Sequence, residues 1–315
     1  MDLEHGLAPG RGASPPPAAI TVGVFDGVHR GHQSLLAATV AAAREIGGIA
    51  VAVTFEPHPR AVLDPGNVPA EITTLDEKVE RLAVLGIDRL VVMNFTAEMS
   101  RWSAAHFCER LLERFDVRRF VAGPGFAVGH ARSGDTAFLR AFGAEHGFTV
   151  TEVGGVDQGG ASVSSTRIRA ALVSGEVEVA AALLGYPYFM DGTVEMGEQV
   201  GRRLGFPTAN LGVEPGKCLP EIGIYSTWLR SRGSWHQAAS SIGYRPTFGG
   251  DRLTVEAHVL DFDADIYGER VRLAFTHRIR EERMYPDEAS LIAQMRDDVR
   301  DTRRLLAGKE PPRGL

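Results

Sequence analysis

The chain has 315 residues, of which 44% are hydrophobic and 23% are charged, so it carries enough apolar surface for two hydrophobic cores. Its formal net charge of -6 argues against a nucleic-acid-binding protein, because phosphate contacts need clustered Lys and Arg. Cys108 and Cys218 share no metal-ligand spacing, and no apolar run reaches the length of a membrane span. These features exclude a disulfide framework and a zinc site, and they predict a cytoplasmic protein.

The N-terminal half alternates strands with helices. Residues 1–17 carry three consecutive prolines and predict a disordered leader. The predicted strands are Ile20 to Phe25, Ile49 to Phe55, Arg89 to Phe95, Arg119 to Ala122 and Phe148 to Val153, and the predicted helices are Gln33 to Ile46, Asp76 to Leu85, Ala104 to Phe115 and Thr136 to Ala144. This alternation predicts parallel β-α-β units in an open α/β sheet, with ligands bound beyond the carboxyl ends of the strands.

The C-terminal half has a different pattern. Two short helices are predicted over Ser165 to Ser174 and Val177 to Leu184, and a closing helix over Asp287 to Leu306. Between them lie strands without long helices, over Phe189 to Glu195, Ile224 to Leu229, Gln237 to Ile242, Thr254 to Phe262 and Arg270 to Ile279. Short strands with Gly- and Pro-containing connections predict an antiparallel barrel. We place the domain boundary near Gly185, which gives domains of residues 18–184 and 185–309.

A pair of histidines follows the first predicted strand. His29 and His32 flank Gly31 immediately before a helix, whose N-terminus offers free N–H groups and a positive dipole end. Gly27 and Gly31 let the backbone come close to a ligand. A lone His-x-x-His pair is more often an ordinary loop feature, but the strand before it and the helix after it favour nucleotidyl transfer.

This stretch resembles the His-x-Gly-His nucleotidyltransferases, and more closely the N-terminal module of bacterial bifunctional riboflavin kinase/FMN adenylyltransferases, the FAD synthetases. Residues 54–59 and 164–169 resemble two further motifs of that family. The resemblance implies catalytic roles for His29, His32 and Arg167. It implies that ATP phosphates are held by Gly23, Phe25, Asp26, Gly27, Gly31, Ser165 and Thr166, and that His58 and Phe126 bind flavin.

One loop departs from the family pattern. Gly125 stands where a polar Asp or Asn is usual, and Val128 replaces an aromatic residue, whereas Phe126, Gly129 and Arg132 match. A lost polar contact at a buried ligand costs roughly 1–3 kcal/mol. Two explanations stay open: a rebuilt loop, or a weakened adenylyl transfer.

A second glycine-rich motif opens the C-terminal domain. Gly197 and Gly201 leave backbone amides available for phosphate. Thr208 and Asn210 lie two residues apart, so an extended segment places both on one face, where they could hold Mg²⁺ together with ATP phosphates. The alternative is a Gly/Pro turn that Thr and Asn cap.

This motif resembles the riboflavin kinase signature, with Pro207-Thr208-Ala209-Asn210 intact and Val200 in place of a usual Arg. Three further family features follow in order, over residues 220–225, 242–248 and 255–262. The resemblance implies that Glu256 is the general base for the ribityl 5′-hydroxyl and that Arg202 contacts phosphate. It also implies a flavin site that includes Arg280 and Tyr285.

The resemblance thus predicts a Rossmann-like nucleotidyltransferase domain followed by a six-stranded antiparallel riboflavin kinase barrel with a closing helix. The expected substrates are riboflavin, FMN and ATP, with Mg²⁺, and no nucleic acid or membrane partner. The oligomeric state stays open. The alternatives are a monofunctional riboflavin kinase with an impaired N-terminal half, a non-catalytic flavin-binding regulator, and a cytidylyltransferase, which leaves residues 186–306 unexplained.

Overall fold

The computed structural model describes residues 1–7, 15–197, 200–247 and 250–315, and the side chains at 200, 245–247 and 250–252 lie outside this description. The chain divides into two compact units, Met1–Ser164 and Ser165–Leu315. Among the described residues, no helix combines the length and the apolar character that crossing a bilayer requires.

The first unit is built on a parallel sheet of six strands in the order β1-β4-β3-β2-β5-β6. These strands are β1 (Asp2–His5), β2 (Pro17–Val22), β3 (Ile49–Glu56), β4 (Arg89–Asn94), β5 (Asp116–Ala122) and β6 (Thr149–Glu152). A small antiparallel pair, β7 (Asp157–Gln158) and β8 (Ala161–Ser162), follows. The predicted parallel α/β sheet is therefore confirmed.

Helices cover both faces of this sheet. They are α1 (Arg30–Glu45), α2 (Pro59–Leu63), α3 (Leu75–Val84), α4 (Ala104–Arg114) and α5 (Thr136–His146), with short 3₁₀ turns at Pro65–Asn67, Met99–Arg101 and His130–Arg132. Leu36 of α1 and Leu82 of α3 are buried against one face, and Phe107 of α4 and Leu139 of α5 against the other. Burial on both faces explains why the central strands are continuously apolar.

The N-terminal segment differs from the prediction. Asp2–His5 form β1, which pairs in parallel with β4, so the disordered leader is wrong for these residues; residues 8–14 lie outside the described chain. Ion pairs hold the strand in place, because Glu4 Oε1 lies 3.1 Å from Arg89 Nη1 and 2.7 Å from Arg114 Nη2. These partners are distant in sequence, and four residues carry too short a pattern to predict a strand.

The second unit is a closed antiparallel barrel in the order β10-β13-β12-β11-β14-β9. Its strands are β9 (Phe189–Glu195), β10 (Ala209–Val213), β11 (Gly223–Ser231), β12 (Ser234–Thr247), β13 (Gly250–Val259) and β14 (Arg270–Arg280). Its helices are α6 (Ser165–Val173), α7 (Val177–Leu184), α8 (Val200–Arg203) and the closing α9 (Glu288–Leu306). The predicted barrel and closing helix are confirmed, and β10 is the strand that the apolar runs did not reveal.

The segment that contains α6 and α7 packs against the barrel. The backbone N–H of Glu221 donates to the carbonyl of Leu172 at 2.9 Å, and the Arg278 side chain lies against Gly175. The predicted domain boundary near Gly185 stays a prediction.

Candidate active sites

The structure brings the two predicted catalytic histidines together at the start of α1. His29 is the N-cap, and its Nδ1 accepts a hydrogen bond from the His32 backbone N–H at 3.3 Å. The two imidazoles stack with ring centroids 3.6 Å apart, and the rings of Phe25 and His32 make a T-shaped contact with centroids 5.4 Å apart. The cap therefore fixes both rings at the N-terminus of a helix, where an anion is favoured.

Burial keeps both histidines neutral. It lowers the pKa of His29 to about 4, against a smaller opposing effect of Asp26. Burial also lowers the pKa of His32 well below its usual range, and the neighbouring His29 and Lys78 add to this. The buried Nδ1 of His32 has no hydrogen-bond partner among the described residues, which is unusual for a polar atom in a protein interior. Each neutral ring keeps one N–H to donate.

The rest of the loop is shaped from within the first unit. Asp26 Oδ1 accepts from the backbone N–H groups of Ile72 and Thr73 at 2.9 and 3.0 Å, and the Gly27 N–H donates to Thr73 Oγ1 at 3.0 Å. Asp26, predicted to bind phosphate, thus anchors residues 72–73. Among the other predicted residues, Gly23 donates to the carbonyl of Val53 at 3.0 Å, Phe25 is fully buried, and Gly31 lies in the first turn of α1.

A small cavity lies at the carboxyl ends of the first strands. Its lining residues are Val24, Asp26, Phe55, Glu56, His58, Glu71, Thr73 and Lys78. The predicted flavin residue His58 is the N-cap of α2, with its Nδ1 accepting from the Arg60 N–H at 3.1 Å. Lys78, which the sequence reasoning missed, is buried at 5% exposure. Its spacing of three residues from Leu75 and four from Leu82 places it on the buried stripe of α3, a signal that could have identified it.

The loop whose sequence departs from the family pattern has a well-defined, hydrogen-bonded backbone. Gly125 has a φ of +64°, a region that Gly adopts freely and that Asn and Asp tolerate best among other residues. Its carbonyl accepts from Arg132 Nη2 at 2.7 Å, and Val128 and Gly134 exchange two backbone hydrogen bonds at 3.0 and 2.9 Å. The predicted flavin residue Phe126 packs on Phe120, with centroids 5.3 Å apart. Gly125 can therefore adopt the same backbone conformation that Asp or Asn would adopt at this position, and only the polar side chain is missing.

The third N-terminal motif belongs to the second unit. Ser165, Thr166 and Arg167 form the first turn of α6. Their predicted roles at the ATP phosphates stay predictions.

In the barrel, the structure brings Thr208, Asn210 and Glu256 together. Thr208 Oγ1 donates to Glu256 Oε2 at 3.2 Å, and Asn210 pairs directly with Glu256 across β10 and β13. Val255 and Ala257 are buried on either side of Glu256, so the alternation of the strand turns the carboxylate to the opposite, outer face. The predicted kinase residues therefore meet on one face of the barrel.

The glycine-rich segment packs on these residues. A Cβ added at Gly197 would overlap Asn210 Nδ2, so any larger residue would have to displace the amide. The carbonyl of Gly201 accepts from the Phe206 N–H at 2.7 Å and closes the turn after α8. Beside Thr208 lies a cavity of about 250 Å³, whose wall includes the exposed Arg202. Its other lining residues include Pro207, Val259, Phe262 and Tyr267.

The two predicted flavin residues of this unit lie at the end of β14 and just after it. Arg280 makes a two-pronged ion pair with Asp298 of α9, at 2.8 and 2.6 Å, and its guanidinium lies 5.9 Å from the Tyr285 ring centroid. The buried Tyr285 hydroxyl has no partner among the described residues. Arg280 thus anchors the loop, and its flavin contact stays a prediction.

Glu282, which sequence reasoning missed, lies against Gly243. Burial raises the pKa of the Glu282 carboxyl, and the nearby Glu256 raises it further.

Comparison with known proteins identifies a counterpart for each of the two domains. A family model described as FAD synthetase matches residues 12–167, and one described as riboflavin kinase matches residues 184–306. A bifunctional riboflavin kinase/FMN adenylyltransferase of Listeria monocytogenes is 37% identical over 92% of this chain and 93% of its own length. The bifunctional riboflavin kinase/FMN adenylyltransferase of Escherichia coli K12 is 33% identical over 93% of this chain and 94% of its own length.

A solved structure has the same overall fold. It is a Streptococcus pneumoniae protein described as a macrolide-efflux protein, with a TM-score of 0.86 and 29% identity, and the match covers 96% of this chain and 99% of that one. The efflux description applies to the Streptococcus pneumoniae protein alone. Because both domains are present, a monofunctional riboflavin kinase is not favoured. This chain belongs to the family of bifunctional riboflavin kinase/FMN adenylyltransferases, which are transferases.

Proposed function

We propose that the second unit transfers the γ-phosphate of ATP to the 5′-hydroxyl of riboflavin, giving FMN and ADP. The N-terminal adenylyltransferase domain that the sequence predicts, residues 18–184, then joins FMN to the AMP part of a second ATP, giving FAD and pyrophosphate. The observation that carries the kinase proposal is the 3.2 Å hydrogen bond from Thr208 to Glu256 beside Asn210, because it brings a carboxylate base close to two neutral side chains that contain oxygen. The adenylyl transfer rests on the stacked His29 and His32 at the N-terminus of α1.

In the kinase reaction, Glu256 accepts the proton of the attacking hydroxyl while Thr208 holds the carboxylate in place. Among the described residues, no group of three or more His, Cys, Asp or Glu side chains could hold a metal ion. A Mg²⁺ that arrives with ATP fits the donors present, since Mg²⁺ needs few protein oxygens when phosphates supply the others. Thr208 and Asn210 would hold it, and it would neutralise phosphate charge.

In the adenylyl transfer, a phosphate oxygen of FMN attacks the α-phosphorus of ATP and the bond to pyrophosphate breaks. No protein nucleophile is required, so the protein orients the substrates and stabilises charge. His29 and His32 are neutral and donate N–H groups at the N-terminus of α1. Arg167, Ser165 and Thr166 supply one charged and two hydroxyl donors to the triphosphate.

The test is a product assay on the purified chain. Riboflavin and FMN are supplied separately with ATP and Mg²⁺, and flavins are separated by chromatography. We expect FMN and FAD from riboflavin, and FAD from FMN. FMN without FAD from either input would refute the adenylyltransferase half. Cys108 and Cys218 are both buried and lie outside any disulfide, which supports our placement of the enzyme in the reducing cytoplasm.

A further inference from the structure

Lys78 is a buried charge that the proposed reactions do not use. It is 5% exposed and lies in the first turn of α3, which begins at the Thr74–Glu77 capping box. A cation at this end of a helix opposes the helix dipole, and burial of an ammonium group is costly. Helix stability therefore does not explain a lysine at this position.

Carboxylates surround the ammonium group. Asp26, Glu56 and Glu71 line the same small cavity as Lys78 at the carboxyl ends of β2 and β3. Burial lowers the pKa of Lys78, and these three carboxylates, Asp26 first, counter the effect. Asp26 is fixed by the backbone of residues 72–73, so its negative charge stays beside the histidine loop. Without Lys78, this wall would be strongly negative.

The cavity lies on the side of the loop where the predicted flavin residue His58 and the side chain of Phe55 are found. FMN differs from riboflavin by a phosphate dianion, which a wall of three carboxylates would repel. We propose that Lys78 is a positioning residue for FMN: its ammonium offsets Asp26, Glu56 and Glu71 so that a dianionic phosphomonoester can approach the histidine loop. This inference rests on the adenylyltransferase activity proposed above.

The test measures FAD formation by the full-length chain with FMN varied at saturating ATP. Lys78→Met is expected to raise the KM for FMN about tenfold or more, the range that local charge confers on an anionic substrate. Lys78→Arg, which keeps the charge, should restore most of the affinity. Adding Glu71→Gln to Lys78→Met removes one negative charge and should restore part of it, which a purely structural role for Lys78 would not predict.

Two controls separate charge from folding. Arg44→Met removes an exposed cation from the last turn of α1 and should leave the KM for FMN unchanged. If Lys78→Met does not fold, Glu71→Gln alone decides, with an expected fall in the KM for FMN of about threefold. An unchanged KM for FMN in Lys78→Met, or in Glu71→Gln, overturns the inference when the wild-type chain makes FAD. Absence of FAD from the wild-type chain would instead refute the proposed function.

Discussion

At the residue scale, the reactivity of the barrel depends on one carboxylate. Glu256 lies on the outer face of β13, where its carboxylate accepts a hydrogen bond from the Thr208 hydroxyl. It is also the direct cross-strand partner of Asn210. We expect Glu256→Gln to lower kcat for FMN formation by roughly 10²-fold or more, because an amide cannot act as general base. Steady-state assays with riboflavin check this. The matched control is Glu269→Gln, which removes a carboxylate that pairs with the exposed Arg232 and should change kcat less than about twofold.

A second residue-scale prediction concerns Gly197. Its Cα faces the Asn210 amide so closely that an added methyl group would overlap Nδ2. Gly197→Ala should therefore displace Asn210 and raise the KM for Mg·ATP in the kinase reaction by about tenfold, a loss of roughly 1.4 kcal/mol. Gly66→Ala is the control, since a Cβ there meets nothing within 4 Å. Equal KM values for Mg·ATP in the two variants would show that Gly197 does not shape the nucleotide site.

At the element scale, the histidine loop and α1 should make the first unit sensitive to acid. The pKa of His29 is about 4 in the folded chain because of burial, whereas an unfolded histidine titrates near 6.5. Between these values the unfolded state binds more protons, so stability rises with pH. The lowered pKa of His29 thus adds on the order of 3 kcal/mol to the free energy of unfolding. This stabilisation is complete above about pH 6.5 and is lost as the pH falls to about 4.

Hydrogen exchange of the α1 amides at a series of pH values measures this effect, because it reports opening of the unit. His29→Asn retains an N-cap side chain and removes the titrating group, so the pH slope of stability should decrease. His5→Gln, at an exposed position of β1, should leave the slope as in the wild type. A His29→Asn slope equal to that of the wild type would contradict the assignment.

Elements differ in how well the sequence predicts them. The central strands and the long helices carry many apolar residues at a clear period, and their positions are close to those predicted. β1 and β10 have only four and five residues, which is too few to show a clear period, so local pattern does not reveal them. The Thr208–Glu256 contact could be predicted only through the family motif. The carboxylates around Lys78 come from three separate segments, a grouping that only the fold creates.

At the scale of the whole molecule, the catalytic histidines and the kinase residues lie in different units. His29 and His32 lie within Met1–Ser164, whereas Thr208, Asn210 and Glu256 lie within Ser165–Leu315. Each group is held together inside its own unit, through the stacked imidazoles in the first and the Thr208–Glu256 hydrogen bond in the second. We therefore expect the two chemical steps to be separable by single substitutions.

The separation can be measured with two variants and two inputs. Glu256→Ala should abolish FMN formation from riboflavin and retain FAD formation from added FMN. His32→Ala removes the ring that stacks on His29 and packs against Phe25, so it should lower FAD formation by roughly 10²-fold, as expected for loss of a group that stabilises developing charge, and retain FMN formation. In each variant the retained activity is the control for correct folding of the other unit. Equal loss of both activities in either variant would mean that the substituted residue is needed for both steps, and the steps would not be separable as proposed.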